Sequence, residues 1–401
     1  MARIRLRARA YMKMLQSRPV RRKVKRAAGS ILQLKTRQSK PWRAKFQGKA
    51  EYFEFKKDAS EHLKKLRLKA PDVAIPFGPA FAFEITNAKF SKEGLEVLET
   101  PKPSVGLPGL QVLGRPNAGD KKSARDGYRN YKSEYGYKLW HLQPGDCFID
   151  AGASIGGVSC VAIEAGAARV LAVELDINTF GVLLRNLIGA RRAMETSGRP
   201  AADVWALHGA ITGPDAGPSV VVMSNTSQGS YRSRVGAVAT RADTYSGVAP
   251  TCTISQLRTV VPAGHHWCLA KFDIEGSEHL AFHRAINIEP FDTAPFIVFE
   301  YSRNEGVIAA RSRAGRPDMP RAKAATNALH HMKRGLQEAG YRVAFVGRTG
   351  CRRVDPIVYC YRALQPCETA CANCRRRTKE VRRLKNTQID WWDKLLQACS
   401  A

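Results

Sequence analysis

From residue 128 onward, short apolar runs alternate with longer amphipathic ones. "CFIDAG" at 147–152 reads as a buried strand, and "GGVSCVAIEAGA" at 156–167 as a helix that ends in glycine. "RVLAVELD" (169–176) and "DVWALHGAIT" (203–212) are strand-like, with a helical "INTFGVLLRNLIGARRAM" (177–194) between them, and "SVVVMS" (219–224) is a further strand. The alternation continues through the strand "WCLAKFDIEG", the helix "SEHLAFHRAI", the strand "PFIVFEYS" and the helix "ATNALHHMKRGLQEAG". "YRVAFVG" and "PIVYCYRAL" close it as a pair of strands. Strands separated by helices over such a length predict an α/β fold, a Rossmann-like doubly wound, mostly parallel sheet wrapped on both faces. In such a sheet the ligand lies beyond the carboxyl ends of the strands, where the strand order switches.

The flanks differ in composition. Residues 1–50 hold no Asp or Glu, the first acid being Glu51, and form a basic arm expected to be flexible. Residues 51–127 are an N-terminal extension whose Pro-, Gly- and Lys-rich end, 101–127, predicts a linker. The alternating domain spans 128–365, and 366–401 is a Cys-rich basic tail with a short helix, "IDWWDKLLQACSA". No run of about 18 apolar residues exists, so no membrane span is expected.

Charge adds a statement about partners. With 65 Lys+Arg against 35 Asp+Glu, the net charge is +30, which favours a polyanion such as nucleic acid. The arm fits an organelle-targeting (mitochondrial or plastid) presequence, a nucleic-acid-binding arm or nuclear signal, or a solvated tail. An intracellular protein is expected, since no secretory signal is visible.

The chemistry begins at "FIDAGASIGG", 148–157. A glycine-rich strand-to-helix turn exposes backbone N–H groups to a ligand. A dinucleotide site wants G-x-G-x-x-G, and the middle position here is Ser154, which disfavours a nicotinamide-dependent oxidoreductase. S-adenosylmethionine has no pyrophosphate and does not need that glycine. Asp150 would then engage the ammonium of its methionine part, and Gly152 and Gly156 would let the backbone approach it. Glu174, at the end of the next strand, would accept hydrogen bonds from the ribose hydroxyls.

These residues resemble the opening of the FkbM-type methyltransferases, F-I-D-x-G-A-N-x-G followed by an acid and R/K-N-L. "LAKFDIEGSEHLAFHRA" at 269–285 resembles that family's second signature, K-x-D-x-E-G-x-E, and "TISQL", "FIVFEYS" and "LQEAGYRVAFVG" resemble the segments around it. The likeness spans about 130–365, with Ser154 in place of the family's Asn. It implies a class I methyltransferase fold, S-adenosylmethionine as cofactor and methyl transfer to an oxygen of a small molecule or sugar, while the charge points to an anionic acceptor, RNA or an acidic glycan. The alternative is a degenerate methyltransferase fold that binds RNA or serves assembly.

Methyl transfer to a hydroxyl needs alignment and removal of a proton. Asp273 and Glu275 are the expected acceptor-side pair, with Lys271 holding a carboxylate or substrate anion, and Glu278 charging the start of the next helix. A divalent-cation site in the same cluster is the other chemistry its carboxylates allow. Asn225, Gln228, Gly229 and Ser230 are expected on an acceptor-side loop. His279 and His283 are expected on a solvated or core-edge face, and "GHHW" at 264–267 as a turn.

Of the ten cysteines, Cys147, Cys160, Cys252 and Cys268 read as reduced core residues. Cys367, Cys371 and Cys374 in "CETACANC" are candidate ligands for zinc, with Cys351 or Cys360 as the fourth; reduced thiols and a disulfide are the alternatives.

Overall fold

The structure, a computed structural model, describes residues 74–384 apart from 78–79, 85–93, 100–108, 130, 132–134, 136–139, 214–215, 217–218, 226–231, 237–243, 258–265, 283–293 and 348–355. All of these residues belong to one compact unit, His62–Ala401. The basic arm expected at 1–50 and the terminal helix at 389–401 lie outside the described residues.

The chain opens with an antiparallel pair, β1 (Ala74–Phe77) and β2 (Ala80–Glu84). A separate ribbon follows, β3 (Glu96–Glu99) with β4 (Val112–Gly114), and then α1 (Ala118–Ala124), which runs into a π-type turn at Arg125–Arg129. The alternation starts at β5 (Cys147–Ala151), α2 (Gly157–Glu164), β6 (Arg169–Glu174), α3 (Ile177–Thr196) and β7 (Asp203–His208). β8 (Ala210–Ile211), β9 (Ser219–Asn225), β10 (Arg232–Val235) and β11 (Thr244–Cys252) form a second sheet, in the order β10-β9-β11-β8. The short α4 (Ile254–Leu257) leads back to β12 (Leu269–Phe272), α5 (Glu278–Ala281), β13 (Phe296–Glu300), α6 (Arg303–Arg313) and α7 (Arg321–Glu338). A hairpin, β14 (Arg342–Gly347) and β15 (Ile357–Tyr361), precedes α8 (Pro366–Thr369) and α9 (Ala372–Leu384).

The main sheet has the order β1-β2-β7-β6-β5-β12-β13-β15-β14. β7, β6, β5, β12 and β13 are mutually parallel, and β2 and β15 flank them antiparallel. The order reverses between β5 and β12, which makes their carboxyl ends the switch point. This is a doubly wound, Rossmann-like α/β arrangement.

The uninterrupted apolar strands follow from burial on both faces. Alternate residues of one strand enter opposite cores: Phe148, Val170, Ala172, Leu269 and Val298 on one face, Ile149, Leu171, Val173, Ala270 and Ile297 on the other. α3 starts where it does because the Asp176 side chain accepts the Thr179 N–H at 2.9 Å.

Two flanking segments pack against the alternating domain. The stretch expected as a linker holds β4 and α1, because Asn186 on α3 bonds both the N–H (2.7 Å) and the carbonyl (2.8 Å) of Leu113. The tail is docked through buried charge: Arg377 of α9 donates two bonds to Asp146, at 2.8 and 2.6 Å, and Arg362 two to Glu368 of α8, at 2.8 and 2.7 Å. No helix among the described residues is long and apolar enough to cross a membrane.

Candidate functional site

β5 and β12 are adjacent and in register, Asp150 opposite Lys271 and Ala151 opposite Phe272, so the glycine turn and the second signature leave the sheet side by side. That closeness gives the glycines a packing role. Gly152 has φ +73°, and a Cβ on it would lie 1.7 Å from the carbonyl oxygen of Asp273. Gly156 has φ +91°, and its Cβ would lie 2.7 Å from Leu183 Cδ1. At both positions the missing Cβ makes room for the protein's own chain. The turn is pinned from α3, where Asn186 donates to the Ile155 carbonyl at 2.6 Å.

Among the described residues, two non-glycine residues have positive φ, Ser154 and Glu275, both at 51°. They sit on the two turns of the switch point. Such left-handed residues store strain and cluster at functional sites. Ser154 thus takes a conformation that Asn tolerates better than Ser. Ser154 Oγ also meets Ser123 Oγ of α1 at 3.1 Å.

Glu174 sits at the end of β6, with Oε2 accepting the Ser154 N–H (2.9 Å) and Oε1 the Asp176 N–H (2.8 Å). Burial pushes its carboxyl up to about 7, against the pull of those two N–H donors. Asp150 is fully buried; its Oδ2 accepts the Ser159 hydroxyl at 2.7 Å, and its Oδ1 lies 3.1 Å from Lys271 Nζ. Within the protein, the cation beside Asp150 is the Lys271 ammonium.

Lys271 gathers the rest of the site. Its ammonium donates to the Gly152 carbonyl (2.8 Å), lies 3.8 Å from Asp273 Oδ2 and stands 5.2 Å from the centre of the Tyr135 ring. Burial pulls its pKa down, but the carboxylates of Asp150 and Asp273 outweigh that, and the net shift is upward. The Tyr135 hydroxyl donates to Asp273 Oδ2 at 2.7 Å. Asp273 is the open member of the network, its side chain 25% exposed against 4% for Lys271.

Beyond Asp273 the chain makes a tight turn held by Glu278, whose Oε1 and Oε2 accept the N–H groups of Ile274 and Gly276, both at 2.7 Å. Glu278 is fully buried, and burial raises its pKa well above the ordinary value. It is a brace of the turn and does not reach the open side. Glu275 faces the second sheet, 3.6 Å from the guanidinium of Arg234 on β10. His279 is buried, with Nε2 at 2.8 Å from the Ser302 carbonyl. Asn225 ends β9, while Gln228, Gly229, Ser230 and His283 lie outside the described residues.

The thiols assemble differently from expectation. His266, Cys268, Cys371 and Cys374 bring one ligand atom each to within 4.8 Å of one another. Cys360 is instead buried in the core from β15, Cys351 lies outside the described residues, and Cys367 falls on α8 with its side chain outside them. Cys268 and the "GHHW" histidine are thus partners of the tail, because the start of β12 lies against α9. Tyr135 had no sequence signal, being 138 residues from its partner Asp273. The His266/Cys268 pair had one: H-x-C entering a strand puts both side chains on one face.

No protein-family model matches the chain, and no curated protein does. Solved structures similar in fold include the fibrillarin of Aeropyrum pernix in complex with natively bound S-adenosyl-L-methionine, 10% identical over 70% of this chain and 88% of that one, with a TM-score of 0.32. Another is the methyltransferase FkbM of Methylobacillus flagellatus, 19% identical over 59% of this chain and 49% of that one, with a TM-score of 0.30. This chain therefore spans about half the length of the Methylobacillus protein. Similarities of this size decide nothing about the site, which stands on its own geometry.

Proposed function

We propose that this chain is an S-adenosylmethionine-dependent methyltransferase acting on a hydroxyl of an anionic acceptor, an RNA or an acidic sugar. One observation carries this: the two strained residues, Ser154 and Glu275, flank an open carboxylate, Asp273, at the point where the strand order reverses. The donor set suits an adenosine ligand, since Glu174 is a carboxylate fixed through both oxygens at the end of β6. Glu174 and the turn 152–156 would hold the cofactor, which supplies an electrophilic methyl group when bound.

Asp273 receives the acceptor's hydroxyl proton. Tyr135 and Lys271 keep its Oδ2 in one orientation, and Asp150 in turn orients Lys271. Glu275, turned toward Arg234, is the second acid on the acceptor side. An anionic acceptor is supported by the net charge of +30.

Calorimetry with S-adenosylmethionine, followed by transfer of a labelled methyl group to RNA or acidic glycan, tests the proposal. Saturable binding and a base-stable labelled product are expected. A chain that binds RNA but no S-adenosylmethionine would be a degenerate fold serving as an RNA-binding or assembly protein.

A further inference from the structure

We infer that His266, Cys268, Cys371 and Cys374 hold one structural zinc ion that ties the C-terminal helix α9 to the amino end of β12. The set comes from two distant segments that the fold brings together. His266 and Cys268 lead into β12, two residues apart on an extended chain, so both side chains face the same way. Cys371 and Cys374 form a C-x-x-C at the start of α9.

Three of the six ligand-to-ligand distances match the edges of a zinc tetrahedron, and all four atoms lie within 4.8 Å of one another. Cys268 Sγ lies 3.6 Å from Cys371 Sγ and 3.8 Å from His266 Nε2, and Cys374 Sγ lies 3.8 Å from His266 Nε2. Zinc bonds of about 2.3 Å to sulfur and about 2.0 Å to nitrogen give tetrahedral edges of roughly 3.5–3.8 Å. The Cys374 N–H points at Cys371 Sγ, 3.4 Å away, the turn by which a C-x-x-C segment wraps a metal and shares its thiolate charge. All of the cysteines are free thiols among the described residues.

Three thiolates and one imidazole select zinc among common divalent ions, and four protein ligands close the coordination sphere. On binding, each of the three thiols loses its proton to solvent, and the neutral imidazole donates through Nε2. The site sits at the amino end of β12, whereas Asp273 follows its carboxyl end. About 13 Å of strand separates them, so the ion acts on the fold, not on the reaction. It joins the Arg377–Asp146 pair as a second fastening of α9, and the inference does not depend on the proposed activity.

The test uses the full-length chain, purified under reducing conditions and incubated with zinc. Elemental analysis is expected to find one zinc per chain, and X-ray absorption a first shell of three sulfurs and one nitrogen. The cobalt-substituted chain is expected to show tetrahedral d–d bands with thiolate charge transfer. Cys268→Ser, Cys371→Ser and Cys374→Ser should each abolish one-equivalent binding, while Cys147→Ser, on the neighbouring strand, retains it. Because a ligand variant can fail to fold, the absorption spectrum of the unaltered chain decides independently. No bound zinc in that chain, a different ligand shell, loss of zinc in Cys147→Ser, or a Cys268–Cys371 disulfide found by non-reducing mass spectrometry would overturn the inference.

Discussion

At the scale of single residues, the acids of the second signature divide by what surrounds them. Asp273 is open and held by Tyr135 and Lys271; Glu278 is closed and spends both oxygens on backbone N–H groups. Asp273→Asn keeps its size and loses the base, so methyl transfer should fall by about 10²–10⁴-fold while calorimetric affinity for S-adenosylmethionine changes little. Glu278→Ala leaves two buried N–H groups without their acceptor, at about 1–3 kcal/mol each. Its signature is therefore a lowered thermal midpoint. Glu174 adds a pH dependence. Its carboxyl titrates near 7 in the folded protein, above its ordinary value of 4.5. The folded state therefore holds a proton that the unfolded state has lost, and this group's contribution to stability falls as pH rises from 4.5 to about 7. A ligand donating ribose hydroxyls to the carboxylate favours its charged form. Binding below pH 7 should release up to about one proton per site, read by calorimetry in buffers of different ionisation enthalpy, and Glu174→Gln should remove that release.

At the scale of elements, the switch point is built by mutual approach of two turns. Gly152 and Gly145 both have positive φ, 73° and 80°, but a Cβ at Gly152 would strike the Asp273 carbonyl, whereas nothing lies within 4 Å of one at Gly145. Gly145→Ala should cost only the conformational term, about 1–2 kcal/mol. Gly152→Ala must in addition drive residues 273–274 off β5, so it should lose more in denaturant melts and lose cofactor binding too. Equal costs for the two would mean that the approach is not needed.

At the scale of the whole molecule, the tail is fastened through charge in the interior. Arg377 and Asp146 are both buried, with side-chain exposures of 2% and 0%. Arg377→Met leaves the Asp146 charge without its main partner and should cost about 3–5 kcal/mol. Adding Asp146→Asn should restore part of it, a coupling that a double-mutant cycle of thermal melts measures. If the single and double variants melt alike, the pair is not what holds α9.

Much of this architecture was legible along the chain. "CFIDAG", "RVLAVELD" and "LAKFDIEG" were readable as strands because a sheet buried on both faces demands unbroken apolar runs, and the helix after the first of them carried its own glycine stop. The acids Asp150, Glu174, Asp273 and Glu275 and the ammonium of Lys271 also stood out along the chain, since charged groups are rare in and beside buried strands. What one acid or glycine does could not be read in this way. Asp150 pairs with Lys271, Gly152 yields space to the Asp273 carbonyl, and Cys268 meets Cys371 only because β5, β12 and α9 lie side by side. Local propensity and hydrophobic period are properties of neighbouring residues. The partner of a buried charge or thiol is set by which strands become adjacent, and that is decided by packing across a hundred residues or more.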